Sequence, residues 1–128
     1  MIELPITTFF AGVLTLAQVG LSVAVSVGRA RTRIELLDGG HPGLQRRIRA
    51  HGNFIENVPL ALVAMALLET AGLGAAWLWA GGAGFVVGRA LHAVSLLSGQ
   101  AIGARYGGML LTLLVLTGFG VACILVRS

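Results

Sequence analysis

Leu67-Leu68-Glu69-Thr70-Ala71-Gly72-Leu73-Gly74-Ala75-Ala76-Trp77 lies in the middle of a long apolar stretch, and its reading decides the fold. From Asn57 to Gly88 the only charge is Glu69, so the stretch is either one long helix or two helices joined by a turn. Glycine is the usual residue just past a helix C-terminus, because the left-handed backbone required there costs it little. Gly72 and Gly74 follow Glu69-Thr70 closely, which predicts a turn at about 72–75. Trp77 and Trp79 then fall at the start of the next helix, where a membrane span carries its interfacial aromatics.

A spanning helix needs ~20 mostly apolar residues, because the hydrocarbon core is about 30 Å thick and each residue rises about 1.5 Å. Upstream, 25 uncharged residues separate Glu3 from Arg29, too many for a signal-peptide core and expected to remain uncleaved. Downstream, 21 uncharged residues separate Arg105 from Arg127. With the turn at 72–75 this gives four spans, roughly 6–28, 47–71, 75–97 and 105–126, in one domain covering 1–128. The expected fold is therefore all-α, an up-down bundle of four transmembrane helices; without the turn there would be three spans. Asp38-Gly39-Gly40-His41-Pro42-Gly43 reads as the loop between the first two helices, and Pro42 suits the first turn of the second.

Composition agrees with this reading. The 128 residues are 56% hydrophobic and 11% charged, with a mean hydropathy of +0.90. A soluble domain carries about 25% charged residues, so a water-soluble globule, a disordered chain and a nucleic-acid-binding domain are excluded together. The single Cys123 excludes an intramolecular disulfide and a cysteine metal cluster. His41, His51 and His92 include no pair at i,i+3 or i,i+4, so no metal site is expected.

Four antiparallel crossings put Arg29, Arg31, Arg33, Arg46, Arg47, Arg49, Arg89 and Arg105 on one side. With Glu35, Asp38 and Glu56 beside them that side carries +5, while Glu3, Glu69 and Arg127 leave −1 opposite. Positive loops stay in the cytoplasm, so the Arg-rich side is expected there, with both termini on the other side. The loop arginines, Arg46 and Arg47 included, need no role beyond this topology.

Polar residues inside the spans do need one, since an ionisable side chain at membrane depth costs several kcal/mol, roughly 2.5–3.5 on insertion scales. The densest set is Arg46-Arg47-Ile48-Arg49-Ala50-His51-Gly52-Asn53-Phe54-Ile55-Glu56-Asn57-Val58-Pro59. At about 100° per residue, Arg49, Asn53 and Glu56 fall within about 60° of one another, with Arg46 and Asn57 along one edge of the stripe. A self-satisfied Arg49–Glu56 pair that locks helices together is one reading of this stripe. The other is a ligand. Arg29, Arg89, His92 and Arg105 come to about the same depth, and such a set suits a molecule anionic at several points with an amine or amide for Glu56 and Asn53. Guanidinium groups bind carboxylates in bidentate fashion and favour the thiolate form of a nearby thiol. Glutathione combines carboxylates, an ammonium, amides and a thiol.

The stretch from Arg49 to Pro59 also resembles the R-A-x-x-N-x-x-E-x-x-P signature of the MAPEG family, the membrane-associated proteins of eicosanoid and glutathione metabolism. The similarity extends to length, four spans, a basic loop after the first helix and an Arg near the end of the third; Arg89-Ala90-Leu91-His92-Ala93 is similar to bacterial members. The resemblance implies a homotrimer of four-helix subunits with glutathione as co-substrate, bound between adjacent subunits near the cytoplasmic side. It implies Arg49, Asn53 and Glu56 as glutathione-binding residues, Arg29 as a further ligand contact and Arg105 as the arginine that stabilises the thiolate. Arg89 and His92 complete the expected binding set. The sequence departs from family members that carry Tyr where it has Asn57 and His92.

The expected function is thus a glutathione-dependent transferase or peroxidase of a bacterial inner membrane, acting on small lipophilic electrophiles that arrive from the lipid bilayer. The alternatives are a non-catalytic binder of an amphipathic anion or lipid, and a small four-span transporter. The first helix between Leu4 and Gly28 holds no carboxylate for proton coupling, which speaks against the transporter.

Overall fold

The computed structural model describes residues 3–126. It contains four helices, α1 (Pro5–Thr32), α2 (Pro42–Thr70), α3 (Ala75–Ser98) and α4 (Ile102–Leu125). Each is long and apolar enough to cross a membrane, so the four-span reading holds. The central pair α2 and α3 pack on each other and each touches both flanking helices, while α1 and α4 do not meet among the described residues. Arg127, counted above in the charge of the poorer side, lies outside the described residues.

The turn that separates four spans from three forms as expected, and its hydrogen bonds say why. Gly72 has φ +83°; its N–H donates to the Glu69 carbonyl at 3.1 Å and the Leu73 N–H donates to the Leu68 carbonyl at 2.9 Å. This pairing closes the last turn of α2 and satisfies carbonyls that would otherwise be orphaned. Leu73 packs back on the core around Leu68, Met65 and Leu78.

Glu69 then does what the sequence did not suggest. Its two carboxylate oxygens accept from the backbone N–H groups of Ile6 (2.9 Å) and Thr7 (2.8 Å). The residue preceding α1, Leu4, supplies no side-chain cap. Glu69 therefore caps a helix 62 residues away in sequence, with its negative charge at the positive end of the α1 dipole. At the same end of the bundle Trp79 packs against Phe9 and Phe10, with ring centroids 5.1 and 5.2 Å apart.

Three helix ends reach three or more residues beyond the expected spans. α1 continues to Thr32, α2 starts at Pro42 and α4 starts at Ile102, because local caps and not membrane thickness stop a helix. At the head of α2, His41 Nδ1 accepts from the Leu44 N–H at 3.2 Å and Pro42 occupies the first helical position. The Asp38 side chain accepts from Gly40 N–H at 2.9 Å and holds the preceding turn. α2 runs unbroken as helix through Pro59.

The closest backbone-to-backbone approach is between α3 and α4. A Cβ added at Gly108 would lie 2.7 Å from both the Gly88 carbonyl oxygen and the His92 nitrogen, so these two backbones nearly touch. The G-x-x-x-G of Gly84 and Gly88 thus faces α4, where Val115 lies 3.4 Å from a Cβ built at Gly84. Gly103 and Gly107 have open space around them within this chain, and Gly108 makes the close approach instead.

Candidate functional site

The Gly88–Gly108 contact sets Arg89, the next residue of α3, and His92, one turn further along, against the beginning of α4. Arg89 is only 2% exposed. Its Nε donates to Thr112 Oγ1 at 3.0 Å, and Thr112 in turn donates to the Gly108 carbonyl at 2.8 Å. Its Nη1 donates to the Asn53 carbonyl at 3.3 Å and to Asn53 Oδ1, while Nη2 lies 3.7 Å from Met109 Sδ. One guanidinium thus ties α3 to α2 and α4. It also fixes the Asn53 amide. With Oδ1 taken by Arg89, the NH2 group is the end left free to bond elsewhere.

Beside this buried network lies a cleft of about 530 Å³ between α2, the C-terminal part of α3 and the first turns of α4. Arg46, Arg49 and Asn53 line it from α2, His92 from α3, and Arg105 and Met109 from α4. Three guanidiniums and, among the described residues, no carboxylate line this space. Arg46 Nε and Arg105 Nε are both buried without a hydrogen-bond partner. A buried donor left unpaired costs about 1–3 kcal/mol, and neither Nε finds an acceptor among the described residues. Arg46 lies against Gly99, with its Cζ and Nε 3.2 Å from a Cβ built there. Gly99 has φ +69° and ends α3, so the guanidinium also sits at the negative end of that helix dipole. His92 Nδ1 donates to the Arg105 backbone carbonyl at 3.2 Å, which couples the orientation of the ring to the residue whose side chain reaches into the cleft.

Four of the seven residues singled out in the sequence therefore line one cleft: Arg49, Asn53, His92 and Arg105. Arg89 lies behind them and orients Asn53. Glu56 is exposed on the outer face of α2, outside the cleft of a single chain. Arg29 is at the end of α1, where Nη1 donates to the carbonyls of Ile34 (3.3 Å), Glu35 (2.9 Å) and Leu37 (2.9 Å) and stitches down the following loop. Arg49 and Glu56 thus open to different surroundings.

Arg46, which the sequence puts on one edge of the stripe and gives no role beyond topology, also lines the cleft; its signal is the i,i+3 spacing to Arg49. Arg47 does fit the purely structural description: Nη1 donates to the Ala24 carbonyl at 2.9 Å, and its Cδ lies 2.9 Å from a Cβ built at Gly28. His51 faces α1, where Gln18 Nε2 (2.8 Å) and Ser22 Oγ (3.1 Å) donate to its Nε2. Ser95 is a capping group, donating to the carbonyls of Gln100 (3.1 Å) and Ala101 (2.9 Å).

On the other side of Arg89 an apolar groove of about 280 Å³ runs between α1 and α3, lined by residues such as Leu14, Leu21, Phe54 and Ala93, with Arg89 at its edge.

Comparison with known proteins bears on the whole of this arrangement. The model of the MAPEG family matches residues 7–125. Inner membrane protein YecN of Escherichia coli strain K12, and the protein of the same name from E. coli O6:H1 strain CFT073, are each 36% identical to the chain over 64 residues. That match covers 50% of this chain and 49% of each relative, so the chain spans about half the length of the curated relatives it matches.

Proposed function

The chain belongs to the MAPEG family of membrane proteins, those of eicosanoid and glutathione metabolism, and from that premise we propose that its arginine-lined cleft binds glutathione and activates the thiol toward lipophilic electrophiles. The observation that carries this reading is the cleft itself: three guanidiniums and, among the described residues, no carboxylate in the lining. Carboxylates of the tripeptide pair with Arg46 and Arg49, and the Asn53 NH2 group donates to a peptide carbonyl. Arg105 stabilises the thiolate, since a positive charge beside a thiol favours the anion. The lipophilic electrophile, whether conjugated or reduced as a hydroperoxide, must reach the thiolate in the same cleft, because attack needs the reacting atoms about 3–3.5 Å apart.

We also propose a homotrimer in which a neighbouring copy covers Glu56. This carboxylate is exposed on an apolar helix flanked by exposed Ile55 and Leu60, and a charge at membrane depth turns to a partner or a cavity. The inner membrane location of the relatives and the excess of positive charge at the cleft end support a bacterial inner membrane protein with the cleft on the cytoplasmic side.

The test is a glutathione titration of the protein in detergent, following thermal stability and thiolate absorbance. The proposal expects saturable stabilisation by a ligand that binds only the folded state, together with a bound thiolate signal. No stabilisation at millimolar glutathione overturns it. One observation favours a second reading: Glu56, the acid suited to an ammonium, lies outside the cleft of the single chain. A binder of amphipathic anions would be stabilised as well by a fatty acid as by glutathione.

A further inference from the structure

We infer that His92 is the base that takes the proton from the bound thiol, a role that rests on the glutathione reading above. A carbonyl oxygen can only accept a hydrogen bond, so the 3.2 Å contact to the Arg105 carbonyl places a hydrogen on His92 Nδ1. The neutral ring then carries its lone pair on Nε2, and His92 lines the cleft. The charged groups facing it are Arg49 on α2, Arg89 one turn back on α3, and Arg105 on α4. Guanidinium and amide side chains accept no proton at neutral pH, which leaves the imidazole as the proton acceptor among Arg46, Arg49, Asn53, His92 and Arg105. Tyr106, the only tyrosine, is exposed and does not line the cleft. Cys123 lies near the C-terminus of α4, at the other end of the bundle.

The rigidity of the position argues in the same direction. The Gly88–Gly108 contact brings the two helix backbones together at this level, with the His92 backbone nitrogen 2.7 Å from a Cβ built at Gly108. Through its backbone carbonyl Arg105 orients the base, and through its side chain it stabilises the anion that the base creates. In the step itself the S–H bond breaks, the proton passes to His92 Nε2 and the electron pair stays on sulfur beside Arg105. With an epoxide as the electrophile, the thiolate forms the C–S bond as the ring C–O bond breaks. The proton held on Nε2 then goes to the alkoxide oxygen, which returns the ring to neutral.

The decisive experiment is nitrogen NMR of the full-length protein labelled at histidine, titrated with glutathione and, separately, with S-methylglutathione, which has no thiol proton. The expected result is that glutathione converts the His92 Nε2 resonance to the protonated form while S-methylglutathione binds and does not. Equal response to the two ligands, or none in spite of binding, overturns the role of base and leaves the glutathione reading standing. Failure of both ligands to bind overturns that reading itself. In turnover, His92→Gln keeps an N–H for the Arg105 carbonyl and lacks the base. It should lower kcat about a hundredfold with the glutathione affinity changed less than about threefold, and added imidazole should restore part of the rate. A loss of affinity with kcat unchanged would make His92 a ligand contact only.

Discussion

Replacing Gly108 with alanine adds a single methyl group where two helix backbones come closest. The new Cβ would lie 2.7 Å from the Gly88 carbonyl oxygen, 2.7 Å from the His92 nitrogen and 3.1 Å from the Leu91 Cβ. Two of these three atoms are backbone, so no side-chain rotation relieves the clash. To restore ordinary contact α3 and α4 must separate by more than half an ångström, and overpacking of this kind costs about 1–3 kcal/mol. Alanine also regains up to about 1 kcal/mol of helix propensity over glycine, which leaves a net loss of roughly 1–2 kcal/mol. Gly107 is the internal control. It is the adjacent residue on the same helix with open space around it, so Gly107→Ala should be neutral or stabilising by up to about 1 kcal/mol. The assay is the denaturation midpoint of both variants in one detergent, with glutathione affinity measured in parallel, because the separation also moves His92 and Arg105. Equal stability of the two variants, or a more stable Gly108→Ala, would refute the close backbone approach and the positioning of the cleft that depends on it.

Two neighbouring arginines should separate cleanly. Arg46→Ala should weaken glutathione binding roughly tenfold by removing a charge-assisted contact of about 1.5–3 kcal/mol, whereas Arg47→Ala should cost about 1 kcal/mol of stability and leave affinity unchanged; calorimetric titration and denaturation read the two effects. Glu69→Ala should lower stability by roughly 1–2 kcal/mol through loss of the α1 cap, with no effect on ligand affinity because it acts at the opposite end of the bundle. Asn53→Ala should do both, weakening binding and destabilising the fold by about 1–3 kcal/mol as Arg89 loses its side-chain acceptor; normal stability in a denaturation experiment would count against the buried Arg89 network.

The four spans were legible because hydropathy and Gly72 carry their own physics: an apolar run too long for one crossing, and a residue that tolerates φ +83°. The stripe on α2 was legible as a stripe. Which part of it faces the cleft was not. On a wheel of about 100° per residue, Arg46 and Asn53 fall about 60° and 40° to one side of Arg49, and Glu56 about 20° to the other. The cleft takes the first edge, formed where α3 and α4 cover it, and Glu56 is left on the second. A single helix cannot tell which of its edges a neighbour will cover. The same limit hid Arg46, since an arginine near a helix end satisfies the charge rule for topology whether or not it binds anything. Arg89 was visible as a polar residue at depth, yet its task of orienting Asn53 exists only once three helices meet. Glu69 shows the converse case: its partners, the N–H groups of Ile6 and Thr7, are backbone groups of a distant helix, and no side-chain pattern announces them.

The measurement that tests the central claim most directly is the equilibrium binding of glutathione to the purified protein and to the double variant Arg46→Ala/Arg105→Ala, which removes two of the three guanidiniums that line the cleft. Saturable binding to the wild type, weakened roughly a hundredfold in the double variant at about 1.4 kcal/mol per tenfold, is the predicted result. Binding that is unaffected by the loss of both arginines, or a wild-type protein that binds no glutathione at millimolar concentration, would contradict it.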